Sequence, residues 1–165
     1  MCKPKYQWLI FLLALIASTT TLAVGPPQFQ YTYRDPLTDY FWQISTSDAA
    51  VSDGHLIVSI PACPENTKCI MAGLLQFAIP SDWQNRSEWV IQKKEFKKAG
   101  ARELSILGNR VRAFLITSND HDVEYWYLMA PREGLIAFGA KHVTGPYMQY
   151  WNEAKCGFAA DKSCR

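Results

Sequence analysis

The sequence predicts a mainly β fold: an antiparallel meander that curls into a sandwich or partial barrel, with at most one or two helices and α+β as the alternative. The main evidence lies in the stretch 110–140, which holds three apolar runs separated by two short polar breaks. Ser118 to Asp122 fill the first break with residues that favour turns, and Pro131 to Gly134 fill the second. The middle run, Val123 to Met129, is built from Val, Tyr, Trp and Leu, which favour pleated, half-buried strands. We therefore predict three strands joined by two hairpins.

The middle strands of this meander are apolar on both faces. Tyr125 and Tyr127 alternate with Trp126 and Leu128, whereas a sheet with one solvated face would place a polar residue at every second position. We expect the meander to lie centrally, covered on both sides or curled on itself. The alternative is that one face forms an exposed aromatic surface for a ligand or partner.

The amino terminus has the pattern of a secretory signal peptide. Lys3 and Lys5 precede an apolar core of about ten residues, which small residues follow up to Ala23. This core is short of the roughly twenty residues that span a bilayer, so a stable membrane anchor is disfavoured. We predict cleavage after Ala23, with Ala17 as the competing site, and a periplasmic or secreted product.

Residues 24–165 are of a length that suits a single domain with its own core. Removing the leader removes two lysines and leaves 15 basic residues against 15 acidic ones. Nothing in this balance indicates a nucleic-acid partner, which would need a basic face.

The exported chain keeps four cysteines, and an even number in an oxidising compartment predicts two disulfides. The preferred pairing joins Cys63 to Cys69 and Cys156 to Cys164, because each pair closes a short loop. The two pairings that join the loop to the tail remain open alternatives. The sequence contains no Cys-x-x-Cys pair, so a zinc site is not supported.

Shorter patterns predict the remaining elements in order. Alternation at Phe29, Tyr31 and Tyr33 predicts a first strand. Further strands are expected at 40–44, 55–60, 70–79 and 147–151, with the polar run 45–54 as a loop. A helix is expected within 81–101, capped by Asp82 or Ser87 and stopped by Gly100. The Gly108-Asn109 break is either a hairpin turn or a bulge.

The densest polar cluster is Asn119, Asp120, His121 and Asp122. Its oxygen atoms suit calcium and its histidine suits a general base, but the residue types are also those of a tight hairpin loop, which is the preferred interpretation. His55, His121 and His142 are not at metal-ligand spacing, and neither His-Glu-x-x-His nor Gly-x-Ser-x-Gly occurs. The sequence therefore predicts no cofactor, metal or catalytic residue.

Trp83 and Trp89 stand among polar residues and are the predicted partner-binding tryptophans, together with the cluster Asn119, Asp120, His121 and Asp122. Export, a small rigid fold and missing catalytic motifs favour a binding protein, such as an inhibitor or immunity-type protein that occludes a protein partner. The alternatives are a carbohydrate-binding module or a small secreted hydrolase that uses His121 or His142.

Overall fold

A computed structural model describes residues 28–106 and 108–164, so the predicted leader lies outside the described residues. The described part contains twelve strands and two single-turn 3₁₀ helices, at Trp83–Asn85 and Lys162–Cys164. The strands are β1 (Tyr31–Arg34), β2 (Phe41–Ser45), β3 (Ala50–Ser52), β4 (Ile57–Ser59), β5 (Thr67–Ala72), β6 (Leu75–Pro80), β7 (Glu88–Ile91), β8 (Lys94–Ile106), β9 (Asn109–Asp120), β10 (Val123–Ala130), β11 (Gly134–His142) and β12 (Tyr147–Asn152). The predicted mainly β fold is confirmed.

Ten strands form one antiparallel sheet in the order β4-β3-β2-β1-β12-β11-β10-β9-β8-β7, and β5 and β6 form a separate hairpin. Strands that pair follow one another in sequence except at the junction of β1 with β12, where Tyr33 lies opposite Asn152. This junction joins an N-terminal meander to a C-terminal one. Within the described residues the sheet does not close, and β4 and β7 form its two ends.

The β5–β6 hairpin packs on one face of the sheet, which we call the inner face. The Phe77 ring of β6 lies 4.8 Å from the Tyr127 ring of β10, centroid to centroid. The Tyr127 hydroxyl also donates to the carbonyl oxygen of Gln76 at 2.7 Å. Buried side chains of both sheets, such as Ile70, Ile44 and Phe138, join in one core cluster. Burial of this apolar area is the main force that holds the hairpin on the sheet.

The opposite, outer face of the central strands carries a second apolar cluster. Its buried members are Val111, Ala113, Ala130, Ile136 and Ala137. Partly buried side chains flank them, including Trp126, whose ring stacks on Tyr147 at 6.1 Å between centroids. The two clusters explain why both faces of these strands are apolar in the sequence.

Both predicted short-loop disulfides are present, joining Cys63 to Cys69 and Cys156 to Cys164. The first closes the turn that leads from β4 into β5. The second ties the C-terminal tail, where Phe158 is buried in the core cluster. The tail therefore packs as part of the domain.

The predicted helix within 81–101 is wrong, because most of that segment forms the hairpin of β7 and β8. Ile91 pairs with Lys94, so only Gln92 and Lys93 form the turn. Both turn residues have positive φ, 50° and 67°. A two-residue hairpin turn of this kind is usually signalled by Asn or Gly, and this sequence has neither at the turn.

Three shorter elements also differ from or refine the expectations. The apolar run 70–79 is split by a turn at Gly73, which has a φ of 54°. The predicted loop 45–54 contains β3, a buried strand of only three residues. Of the two possibilities for Gly108-Asn109, the hairpin turn is observed, since Ile106 pairs with Asn109.

Candidate functional site

The edge strand β4 is the most exposed apolar part of the sheet. Leu56, directly before the strand, and Ile57 and Val58 within it expose 66%, 59% and 46% of their surface. Hydrophobic side chains of this size are normally buried when they lie in strands. An edge strand that presents several of them together is a surface on which another chain can pair.

The turn that leads into β4 is fixed by one carboxylate. Asp53 accepts hydrogen bonds at 2.9 Å from the backbone N–H groups of both His55 and Leu56. These two bonds, the Leu56 bond most strongly, lower the pKa of the Asp53 carboxyl below its usual value. The charged carboxylate therefore holds the start of β4 in place at neutral pH.

One hydrogen bond to β3 establishes which backbone N–H groups of β4 point towards β3 and which point away. The Ile60 N–H donates to the carbonyl oxygen of Ala49, the residue directly before β3, at 2.6 Å. Because successive N–H groups of a strand point in opposite directions, the N–H groups of Ser59 and Ile57 point away from β3. These are the groups that a further strand would meet.

The edge is also uncharged. No Asp, Glu, Lys or Arg occurs between Asp53 and Glu65. Natural edge strands are commonly protected from pairing by a charge, a proline or a bulge. The other end of the sheet, β7, begins with Glu88 and pairs with a strand that carries Glu95 and Lys97. Of the two edges, β4 is the one without protecting charges.

An apolar cavity of about 440 Å³ continues from the end of β4. Ile60, Pro61 and the Cys63–Cys69 disulfide form one wall, and Tyr31 and Phe158 line it from the sheet and the tail. Val58 lies opposite Val51, which is buried in the inner core, and opposite residues of an antiparallel pair share a face. Val58 and Ile60 thus point to the side of the sheet where the cavity lies.

One charged side chain, Lys68, is among the residues that line this cavity. Its ammonium group donates to the carbonyl oxygen of Ala159 at 3.3 Å, which links β5 to the tail. The rest of the lining is apolar, backbone or hydroxyl. Such a cavity favours an uncharged apolar side chain as its occupant.

Trp83 and Trp89, predicted to contact a partner, are buried, and each exposes 5% of its surface. The Trp89 indole N–H donates to the carbonyl oxygen of Ala78 at 2.9 Å, and Trp83 packs edge-on against Phe114 at 5.5 Å. The expectation that these rings are accessible is wrong. Polar sequence neighbours of the two rings, such as Asp82, Gln84 and Glu88, are exposed, so the local composition gives no sign of the burial.

The predicted cluster Asn119, Asp120, His121 and Asp122 forms the tight turn between β9 and β10. Asp120 pairs with Val123, so His121 and Asp122 are the two loop residues. The His121 side chain is 95% exposed, and its Nε2 lies 3.7 Å from Asp120 Oδ1. These residues lie outside the β4 edge and its cavity.

The other two histidines are also placed by local structure. His142 Nδ1 accepts from the backbone N–H of Thr144 at 3.2 Å. His55 is exposed in the turn before β4. Within residues 28–106 and 108–164, no group of three or more His, Cys, Asp or Glu side chains is arranged to hold a metal.

The Lys94 side chain is charged and buried, and it lies outside the β4 edge and its cavity. Lys94 Nζ lies 3.8 Å from the centroid of the Tyr125 ring and donates to Gln76 Oε1 at 2.9 Å. Burial lowers the pKa of this ammonium group, and the Asp120 carboxylate 3.9 Å away opposes the shift. The contacts join the hairpin to the sheet, so we interpret Lys94 as structural.

No helix among the described residues is long and apolar enough to cross a membrane. Comparison of the chain with protein-family models, with curated proteins and with solved structures finds no match in any of the three. The functional conclusion therefore rests on the geometry of the chain itself.

Proposed function

We propose that this chain is a small exported binding protein that takes an extended segment of a partner protein onto the free edge of β4. By covering that segment it occludes the partner, as an inhibitor or immunity-type protein does. Two disulfides in the folded chain are compatible with an oxidising compartment outside the cytosol.

The observation that carries the proposal is the exposed, uncharged edge strand. An added strand would gain main-chain hydrogen bonds along β4, and its alternate side chains would gain specificity from a neighbouring pocket. β4 offers outward N–H groups at Ile57 and Ser59, and the cavity beyond Ile60 offers the pocket. The edge and the pocket are contiguous along the chain.

The chemistry of the edge specifies the segment. Because residues 54–64 contain no Asp, Glu, Lys or Arg, a charged segment would be desolvated with no opposite charge from this stretch to pair with it. We therefore expect an uncharged, extended segment rich in β-branched or aromatic residues. One of its inward-facing side chains would enter the cavity.

The test begins with selection from a displayed library of random linear peptides on oxidised residues 24–165. We expect the recovered peptides to share an uncharged apolar run and to slow amide exchange at Ile57 and Ser59. The decisive variant is Ser59→Pro, which removes an outward N–H and leaves the Ile60 bond to Ala49 in place. It should weaken peptide binding about tenfold or more.

Ser59→Ala is the matched control, because it keeps the N–H group and should bind within about twofold of the parent. Thermal unfolding of both variants establishes that they remain folded. The proposal fails if no peptide is enriched, or if enriched peptides bind Ser59→Pro as tightly as the parent. Concentration-dependent dimerisation that Ser59→Pro abolishes would also overturn it, since the occupant would then be a second copy of the chain.

A further inference from the structure

A second cavity lies on the outer face, at the end of the sheet where β8 turns into β9. It measures about 290 Å³. Ile106, Val111 and Ile136 provide apolar lining, and all three belong to or pack against the outer-face cluster. The cavity is separate from the β4 edge, so a ligand bound there would be independent of the proposed function.

Three cationic side chains line this cavity. Arg110 comes from the start of β9, Arg132 from the turn between β10 and β11, and Lys155 from the segment after β12. None of the three makes an ion pair with another described residue. Glu133 is the one carboxylate in the lining, so positive charge is in excess. Cationic side chains from three separate segments that meet at one concave site favour an anion.

The Asn152 side chain belongs to the polar part of the lining. Its Nδ2 donates to the carbonyl oxygen of Ala154 at 2.7 Å, which ties β12 to the segment that carries Lys155. Its Oδ1 is closed to solvent and receives no hydrogen bond in the described structure, so a ligand in the cavity would not reach it.

We infer that this cavity binds a small apolar carboxylate. The carboxylate would lie among Arg110, Arg132 and Lys155, and the apolar body would cover Ile106, Val111 and Ile136. Each of the two chemical groups of the ligand matches one observed feature of the cavity.

The test uses N-acetyl-L-leucine as the probe, followed by NMR titration of the oxidised protein at low salt. We expect residue-specific shifts at the Val111, Ile136 and Asn152 amides, with a dissociation constant of about 1 mM, as suits a ligand of about a dozen heavy atoms. N-acetyl-L-leucinamide, which lacks the charge, should bind at least about tenfold more weakly. The carboxylate 4-methylpentanoate, which keeps the charge and the apolar body, should bind within about threefold of N-acetyl-L-leucine.

Arg132→Gln should weaken N-acetyl-L-leucine binding by about tenfold. Arg102→Gln is its matched control, because Arg102 is exposed on β8 outside the cavity and loses the same charge. The inference is overturned if the probe shifts no cavity residue, if the neutral amide binds equally well, or if Arg132→Gln and Arg102→Gln have the same effect. Sodium sulfate that produces the same shifts would also overturn it, because the site would then bind anions without regard to the apolar body.

Discussion

The Tyr33 hydroxyl donates a hydrogen bond to the carbonyl oxygen of Leu135 at 2.8 Å, across 102 positions of sequence. The hydroxyl oxygen of Tyr33 also accepts the backbone N–H of Phe158 at 2.9 Å. Tyr33 is fully buried, and its ring packs against Phe138 at 5.3 Å. A single side chain thus ties β1, β11 and the C-terminal tail together.

Tyr33→Phe should lower the free energy of unfolding by about 1–3 kcal/mol, because it leaves the buried Phe158 N–H without an acceptor. Denaturant unfolding of the purified protein measures this loss. Tyr31→Phe is the control, since Tyr31 is only half-buried and is in ring contact with Phe158 at 6.2 Å. A loss of equal size in both variants would show that the Tyr33 bonds are not the cause.

The stability of the protein should fall above pH 10. Burial raises the pKa of Tyr33 and of Tyr127 well above the ordinary value of 10.0. Each hydroxyl then stays protonated in the folded state while its unfolded counterpart ionises, so the stabilising contribution present below pH 10 is lost as pH rises. Tyr33→Phe should reduce the slope of unfolding free energy against pH by about 1.4 kcal/mol per unit. An unchanged slope would contradict the burial of this hydroxyl.

Gly139→Ala should destabilise the protein by about 1–3 kcal/mol or prevent folding. A Cβ at Gly139 would lie 2.3 Å from the Met148 carbonyl oxygen and 2.4 Å from the Trp126 ring, which covers this glycine. Gly100→Ala is the matched control, because a Cβ there meets no atom within 4 Å. Melting temperatures of the two variants distinguish the cases, and equal values would mean that Trp126 does not lie over Gly139.

Intact-mass analysis of the oxidised protein should find no free thiol among Cys63, Cys69, Cys156 and Cys164. Replacing Cys156 and Cys164 with serine should cost about 2–3 kcal/mol of stability, the loop-closure value for a loop of about eight residues. Peptide mapping that finds Cys63 or Cys69 joined to the tail would contradict the observed pairing.

The alternation of apolar runs and polar breaks in the sequence predicted those hairpins whose turns contain typical turn residues. The hairpins of β9 with β10 and of β10 with β11 follow from polar breaks between apolar runs, and the structure has both. The β7–β8 hairpin was not predicted, because its turn residues Gln92 and Lys93 adopt positive φ although neither is Asn or Gly. The pairing of β1 with β12 joins the two ends of the described chain, and no local signal reports such a contact.

The candidate site could not be predicted because exposure of a strand depends on its neighbours. The sequence HLIVSI at 55–60 predicts a strand, but an apolar strand of this kind is typical of a core as much as of an edge. Only the sheet order shows that β4 has a neighbour on one side alone. Trp83 and Trp89 are the opposite case: their sequence neighbours are polar, which predicts exposure, but both rings are buried.

Amide hydrogen exchange of the free protein, resolved residue by residue, can establish whether β4 is a free edge. If it is, the Val58 and Ile60 amides should be protected by β3, and the Ile57 and Ser59 amides should exchange close to the rate of an unstructured chain. Protection at all four positions would mean that the edge is already covered. Fast exchange at all four would mean that β4 does not pair with β3, and either result would contradict a β4 edge that is paired on one side and open on the other.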